Sequence, residues 1–229
     1  MYRLHIANKN YSSWSLRPWV LMSELSIPFQ EILVPFIGGS SFERYRKFSP
    51  TGKVPCLTDG NLVVWDSLAI AEYLAERHPG VWPADREARA FARSAAAEMH
   101  SGFAVLRDRC GMNCGIRVKL FEMPDALKRD IARIEELWGE GLRRFGGPFL
   151  AGAAFTASDA FFAPVAFRVQ TYGLELEPAA SSYAARLLAL PSMQKWEADA
   201  LAETWRDESH EDEVRRAGTW LEDRRAEAQ

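Results

Sequence analysis

Along the first eighty residues the apolar positions change period several times. Tyr2-Arg3-Leu4-His5-Ile6-Ala7 alternates and predicts a strand, cut off by the polar run Asn8-Lys9-Asn10. Ser12 to Ser15 offer N-caps for a helix carrying Trp19, Val20, Leu21, Leu25 and Ile27. Pro18 is tolerable in its first turn, and Pro28 lies beyond its end. Phe29 to Val34 predicts a second strand, and Gly38-Gly39 with Ser40-Ser41 opens a short polar helix around Phe42 to Phe48. Val54 to Thr58 and Leu62 to Val64 flank Asp59-Gly60-Asn61 as a hairpin. Asp66-Ser67 then caps an amphipathic helix through Leu68, Ile70, Ala71 and Leu74, which stops at His78-Pro79-Gly80. The predicted order over residues 1–80 is β-α-β-α-β-β-α.

Beyond the Pro/Gly break at Pro79 to Pro83 the period becomes helical throughout. Segments 87–109, 125–145, 156–172 and 180–206 predict helices, so 86–206 reads as an all-α domain. From Asp207 to the end, 12 of 23 residues are charged, which predicts a solvated or frayed tail with Trp220 and Leu221 docking locally. Composition narrows the function classes. Net charge is −3, so no global basic field holds nucleic acid or an anionic membrane. No apolar run approaches the roughly 18 residues of a membrane span, and Met1 to His5 lacks the apolar stretch of a signal peptide. Three cysteines, an odd number, point to a reducing cytoplasm and not to a disulfide framework.

Three stretches carry chemistry. A loop running into a helix N-terminus presents unpaired N–H groups to an anion, and Tyr11-Ser12-Ser13-Trp14-Ser15 lies at such a junction. A serine without a base is no strong nucleophile, but its hydroxyl can donate to a thiolate brought by a ligand. Such a charge-assisted bond contributes roughly 1.5–3 kcal/mol, about one to two pKa units on a thiol titrating near 8.5. Plain helix capping explains the serines equally well. Gly52-Lys53-Val54-Pro55-Cys56-Leu57 places proline at the start of a strand. A cis Val54-Pro55 bond would turn the backbone N–H and C=O of Val54 outward to hold an extended peptide; a trans proline at a strand edge is the plainer alternative. In Trp65-Asp66-Ser67-Leu68, Asp66 and Ser67 sit where an N-cap belongs, and also match a zwitterionic amino-acid end.

In this order and spacing the stretches resemble the glutathione S-transferase family, over residues 1 to about 206. The resemblance implies an α/β thioredoxin-like N-terminal domain followed by an all-α helical domain that supplies the electrophile pocket. It implies that glutathione is a co-substrate, with no permanently bound cofactor and no metal. Val54 and Pro55 would take the cysteinyl backbone, and Asp66 with Ser67 the γ-glutamyl end. Phe155-Thr156-Ala157-Ser158-Asp159-Ala160 resembles the family's structural capping box. Tyr11-Ser12-Ser13-Trp14-Ser15-Leu16-Arg17 looks like the zeta pattern Ser-Ser-Cys-x-x-Arg, which puts the thiol-binding serine at Ser12, with Ser13 next in line. Gly38-Gly39-Ser40-Ser41-Phe42 looks like the zeta Gly-Gly-x-x-Phe, bringing Ser41 to the glycyl side. Trp14 departs from the zeta cysteine, and Lys53 from a Gln-like residue, where it can meet the glycine carboxylate.

The resemblance further implies a second-substrate pocket drawing on Tyr11, Trp14, Met99, His100, Phe103 and Arg107, although core packing also suits Met99 and Phe103. Arg107 or Arg117 can serve an anionic co-substrate. Cys110 and Cys114 read as free thiols rather than a zinc or redox pair, and Cys56 as core. The expected protein is a cytoplasmic homodimeric transferase of detoxifying type. A glutathione-dependent isomerase of the maleylacetoacetate type, a dehalogenase, and a non-catalytic glutathione-binding module are the alternatives.

Overall fold

The structure is a computed structural model that describes residues 1–37 and 40–226. Gly38-Gly39, and the zeta-like reading placed on them, fall outside the described residues. The first unit runs β1 (Tyr2–Ile6), α1 (Ser13–Glu24), β2 (Phe29–Leu33), α2 (Phe42–Tyr45), β3 (Cys56–Asp59), β4 (Leu62–Val64) and α3 (Ser67–Ala75). The sheet order is β2-β1-β3-β4, with β1 parallel to β2 and antiparallel to β3, and β3 antiparallel to β4. This is a thioredoxin-like sheet. Leu4 and Ile6 of β1 alternate into the core, and α1 buries Leu16, Val20 and Leu21 against it. Helix α3 packs against α1 and against β3 and β4.

The second unit contains α4 (Arg86–Ser101), α5 (Ala104–Arg109), β5 (Ile116–Leu120), α6 (Asp125–Phe145), α7 (Ala157–Tyr172), α8 (Pro178–Leu188), α9 (Pro191–Ala202), α10 (Glu208–Ala217) and β6 (Gly218–Asp223). Helix α7 is its axis and packs against α1, α4, α8 and β5. It is apolar on almost every face, as a helix surrounded by protein must be. Its capping box closes as the motif predicts, with Asp159 accepting from the Thr156 N–H at 2.9 Å. The same buried carboxylate accepts from the Leu150 N–H at 3.0 Å and the Tyr183 hydroxyl at 2.7 Å, tying two neighbouring segments to the helix start. Asp159→Asn turns one acceptor oxygen into a donor facing buried donors. A loss of about 1–3 kcal/mol is expected, read as a lower urea midpoint at unchanged slope.

Four expectations are corrected. The region 86–206 is not all-α: Ile116 to Leu120 form β5, paired antiparallel with β6 from the tail. Ile116-Arg117-Val118-Lys119-Leu120 has period two, with Ile116 and Val118 buried, and strand pairing claims that alternation. The helix expected over 87–109 breaks at Gly102, which is extended, and Phe103, which is left-handed at φ 54°. The helix expected over 180–206 divides before Pro191, whose ring starts α9 at its first position. Finally, residues 207–226 are not a free end: Glu211 and Val214 of α10 are buried and β6 pairs with β5 to form the second sheet, although Leu221 stays exposed.

Candidate active site

The loop from Asn8 to Ser12 carries the candidate serines, and the helical unit clamps it. Lys9 is buried with its ammonium on Glu31 at 2.9 Å and Asp199 at 2.7 Å, over the rings of Trp19 and Trp196. Trp196 of α9 donates its indole N–H to the Lys9 carbonyl at 2.9 Å, and Glu203 accepts from the Lys9 N–H at 2.7 Å. Asn10 donates its amide to the Ala200 carbonyl at 2.5 Å. The site's first wall is therefore positioned by contacts nearly two hundred residues away in sequence.

Ser12 is the N-cap residue of α1, yet its hydroxyl does not cap the helix. It donates to Ser15 Oγ at 2.7 Å, and Ser15 Oγ also accepts the Ala7 N–H at 3.3 Å. Ser13 is the first residue of the helix, and its hydroxyl has no partner among the described residues. Both serines line a cavity of about 440 Å³ with Tyr11, Trp14, Val54 and Arg107. A second cavity of about 450 Å³ adjoins it, sharing Trp14, Lys53 and Val54 and continuing past Pro55 to Asp66, Ser67 and His100. Together they make one cleft from the serines, past the Val54 backbone, to the start of α3.

The Val54-Pro55 bond is cis, as required for Val54 to face the cleft. Gly52 makes the turn before it at φ 65°, and a Cβ there would lie 2.4 Å from the Phe42 ring. Asp66 caps α3 through Oδ1, accepting from Leu68 N–H at 2.9 Å, while Oδ2 meets His100 Nε2 at 3.1 Å. Ser67 Oγ is buried without a partner among the described residues, so a hydroxyl and a helix N-terminus stand ready for a carboxylate. Burial lowers the basicity of His100, with Arg17 and Arg107 adding to that and Asp66 opposing it.

The electrostatics of the first cavity are lopsided. Lys53, Arg107 and Arg168 line it against a single carboxylate among the described residues, Glu213. Arg17 lies behind Trp14, its guanidinium carbon 4.1 Å from the indole centroid and 5.0 Å from that of Phe161. Its Nε and Nη1 have no partner among the described residues. Burial, helped by Arg168 and Arg107, pulls the Arg17 pKa down to about 9, so it stays charged at neutral pH. Arg168 is pulled to about 10 for the same first reason, and donates to the carbonyls of Cys110 and Pro164.

Comparison with known proteins draws on the same cleft. Residues 11–77 match the family model described as glutathione S-transferase, N-terminal domain. The chain is 29% identical over 157 residues to a glutathione S-transferase zeta class protein of Euphorbia esula, covering 67% of this chain and 70% of that one. Residues 11–77 thus belong with the N-terminal domains of glutathione S-transferases, and the chain as a whole is similar to zeta-class members of that family. It is also 25% identical over 176 residues to a probable maleylacetoacetate isomerase of Caenorhabditis elegans, covering 73% and 79% of the two chains. A glutathione transferase homolog from Burkholderia GL BGR1, solved with bound glutathione, shares the fold at a TM-score of 0.62 and 25% identity, over 87% of this chain and 97% of that one.

Within this transferase fold the residues picked out by sequence divide into groups. Ser12, Ser13, Tyr11, Trp14, Ser41, Lys53, Val54 and Arg107 line the first cavity, and Pro55, Asp66 and Ser67 the second. His100 is displaced from its expected place: it lines the second cavity against Asp66, with its ring edge-on to Trp14. Met99 and Phe103 are buried in the hydrophobic core and line neither cavity; Met99 continues the buried stripe of α4 with Ala88, Ala92, Ala95 and Ala96. Arg117 lies near Glu197 at 3.7 Å, away from both cavities. Cys56, Cys110 and Cys114 are free and buried, and burial raises each thiol, to about 11 for Cys56 and about 12 for Cys110. They are held in the unreactive form.

Sequence reasoning missed Phe36, Tyr45, Arg168, His210 and Glu213 on the first cavity. Arg168, a buried arginine one helical turn after Pro164 on an otherwise apolar helix, was a visible anomaly. His210 and Glu213 lay in the charged tail, where no local pattern marks them.

Proposed function

We propose that this chain is a glutathione transferase that stabilises the bound thiolate with a serine hydroxyl and directs it at a small electrophile bearing a carboxylate. One observation carries the reading: the serines, the outward-facing Val54 backbone and the Asp66-Ser67 helix start follow each other along a single cleft. A γ-glutamyl peptide needs the same order of partners. Asp66 and the α3 N-terminus receive the ammonium and carboxylate, Val54 exchanges peptide hydrogen bonds, and Lys53 reaches the glycyl carboxylate. The sulfur is thereby brought beside Ser12 at the start of α1, where the hydroxyl and the helix dipole favour its anionic form. Family resemblance supports a cytoplasmic homodimer of detoxifying role, with α3 and α4 near its interface.

The excess of cationic side chains in the first cavity supports the anionic co-substrate. A glutathione-dependent isomerase acting on an unsaturated carboxylic acid is the second reading, favoured by the same lining and by the likeness to a probable maleylacetoacetate isomerase. In both, thiolate addition is the first step, aided by holding two reactants together.

Ultraviolet difference spectra at neutral pH test the thiolate. Saturating glutathione is expected to give a thiolate band, and glutathione bound without that band would leave only a binding module. With turnover established, an electrophile bearing a carboxylate is expected to give at least tenfold higher kcat/KM than its methyl ester, about 1.4 kcal/mol of transition-state stabilisation. Equal values would remove the arginines from substrate recognition.

A further inference from the structure

The C-terminal arm brings one imidazole into the reaction cavity, and its surroundings fit it for proton transfer. His210, in the first turn of α10, lines the first cavity with Ser12 and Ser13. Its Nδ1 lies 2.7 Å from Asp207 Oδ1, which also accepts the His210 backbone N–H at 3.2 Å. A carboxylate so placed keeps the proton on Nδ1 and leaves Nε2 as the basic nitrogen, as in other aspartate-oriented histidines. Nε2 has no partner among the described residues, and the side chain remains about one-third exposed, at 32%. The ring is held by stacking on Tyr11, at 5.0 Å between centroids, and on Phe36, at 5.1 Å.

We propose that His210, oriented by Asp207, is the proton carrier of the reaction. This rests on the transferase reading and adds the route of the proton. When glutathione binds, its thiol gives up the proton and His210 Nε2 takes it, leaving a thiolate on Ser12 and an imidazolium on Asp207. The thiolate adds to the β-carbon of a conjugated alkene, a C–S bond forms, and the C=C pair moves onto the α-carbon and its carbonyl. The imidazolium returns its proton to that α-carbon, which restores neutral His210 and completes the adduct. For an isomerisation the last two steps reverse after rotation about the new single bond. Serine cannot fill this role, because its hydroxyl stabilises the anion without accepting the proton. Glu213, the other proton-accepting side chain on the cavity wall, has no orienting partner among the described residues.

The charged and titratable groups around the imidazole are Asp207 and Glu213 on its own helix, Tyr11 and Tyr45 beside it, and Lys53, Arg107 and Arg168 across the cavity. Glu211 and Arg225 reach it through Tyr11.

The test compares His210→Gln and Asp207→Asn with the unaltered protein, using glutathione with a cyclic enone, whose adduct needs a proton on carbon, and with chlorodinitrobenzene, whose product does not. His210→Gln is expected to lower enone kcat about 100-fold, the usual scale of general acid–base catalysis, with glutathione KM within about threefold. Turnover of chlorodinitrobenzene is expected to fall by no more than about tenfold. The enone pH profile is expected to lose its acidic limb, and in His210→Ala added imidazole is expected to restore part of the enone rate. Asp207→Asn, which keeps the ring in place, is expected to lower enone kcat at least tenfold and so decides the matter if His210→Gln does not fold. Enone kcat within about threefold in either folded variant, with an unchanged pH profile, would overturn the assignment while leaving the transferase standing. Failure of the unaltered protein to bind glutathione or turn over either electrophile would overturn both readings together.

Discussion

Replacing Ser12 with alanine is expected to lower kcat between about 10- and 100-fold while glutathione KM moves by less than about threefold. The magnitude comes from a charge-assisted hydrogen bond, about 1.5–3 kcal/mol, at roughly 1.4 kcal/mol per tenfold. The split follows from geometry. In the proposed binding mode glutathione is held by Val54, Lys53, Asp66 and Ser67, which line the rest of the cleft, whereas the serine acts on the sulfur alone. Without glutathione, Ser12 donates to Ser15 Oγ at 2.7 Å, a neutral bond contributing about 0.5–1.5 kcal/mol. A thiolate is the stronger acceptor, so its arrival turns the Ser12 O–H from Ser15 Oγ to the sulfur. Ser15→Ala, which removes the competing acceptor, is therefore expected to leave kcat within about threefold or raise it. Steady-state kinetics on Ser12→Ala, Ser13→Ala and Ser15→Ala decide among these. If Ser13→Ala shows the large loss and Ser12→Ala does not, the unpartnered hydroxyl of Ser13 is the donor and the assignment moves by one residue.

The second large effect concerns the C-terminal arm. Arg225 and Glu211 form a bidentate pair, Nη1 to Oε1 at 2.5 Å and Nη2 to Oε2 at 2.9 Å, with side chains only 2% and 4% exposed. The Tyr11 hydroxyl donates to Glu211 Oε1 at 2.6 Å, so the pair fastens the arm to the loop that carries Ser12. Arg225 crosses directly above Gly115, where a Cβ would fall 2.1 Å from Arg225 Cγ. Glu211→Ala leaves a buried guanidinium with Asp223 as its remaining carboxylate, at 2.7 Å. Breaking a buried pair costs about 3–5 kcal/mol, and Asp223 puts this case near 3. Residues 207–226 are expected to become susceptible to limited proteolysis while the rest of the chain stays resistant. Release of the arm withdraws His210 and Glu213 from the cavity, so electrophile KM is expected to rise more than glutathione KM. The double variant Glu211→Ala/Arg225→Met is expected to be more stable than Glu211→Ala, because it removes the stranded charge. A double variant no more stable than the single one would show that the arm is held by the pairing of β5 with β6 instead.

Much of this site was legible along the chain because its parts are local. The Val54-Pro55 turn, the Asp66 cap and the Thr156–Asp159 box each depend on neighbours within a few residues, and each forms where the motif predicts. The two-unit organisation was legible for a related reason: strand and helix periods change at the Pro/Gly break, and burial of one face enforces whichever period is present. The errors came where local signals conflict or are silent. The β-period of Ile116 to Leu120 competes with helical surroundings, and only a partner from the tail, Gly218 to Asp223, resolves it in favour of a strand. Met99 and His100 are neighbours in α4, yet the packing of the helix puts Met99 on its buried stripe and turns His100 to Asp66.

The structure decided between the cis and trans Val54-Pro55 bond, while the sequence by itself determined the order of elements in the first eighty residues and the placement of the serines at a helix start. Hydrogen bonding over a few residues and one-sided burial suffice for these. Only the tertiary structure decided that the charged tail is an arm over the site, that Arg17 and Arg168 are buried cations beside it, and that His210 shares a cavity with Ser12. Those arrangements join residues as far apart as Tyr11 and Arg225. Charge composition says that a segment is soluble when exposed, but not whether a buried partner will neutralise it. Glu211 met Arg225, and a segment that reads as solvent-facing became a wall of the cleft.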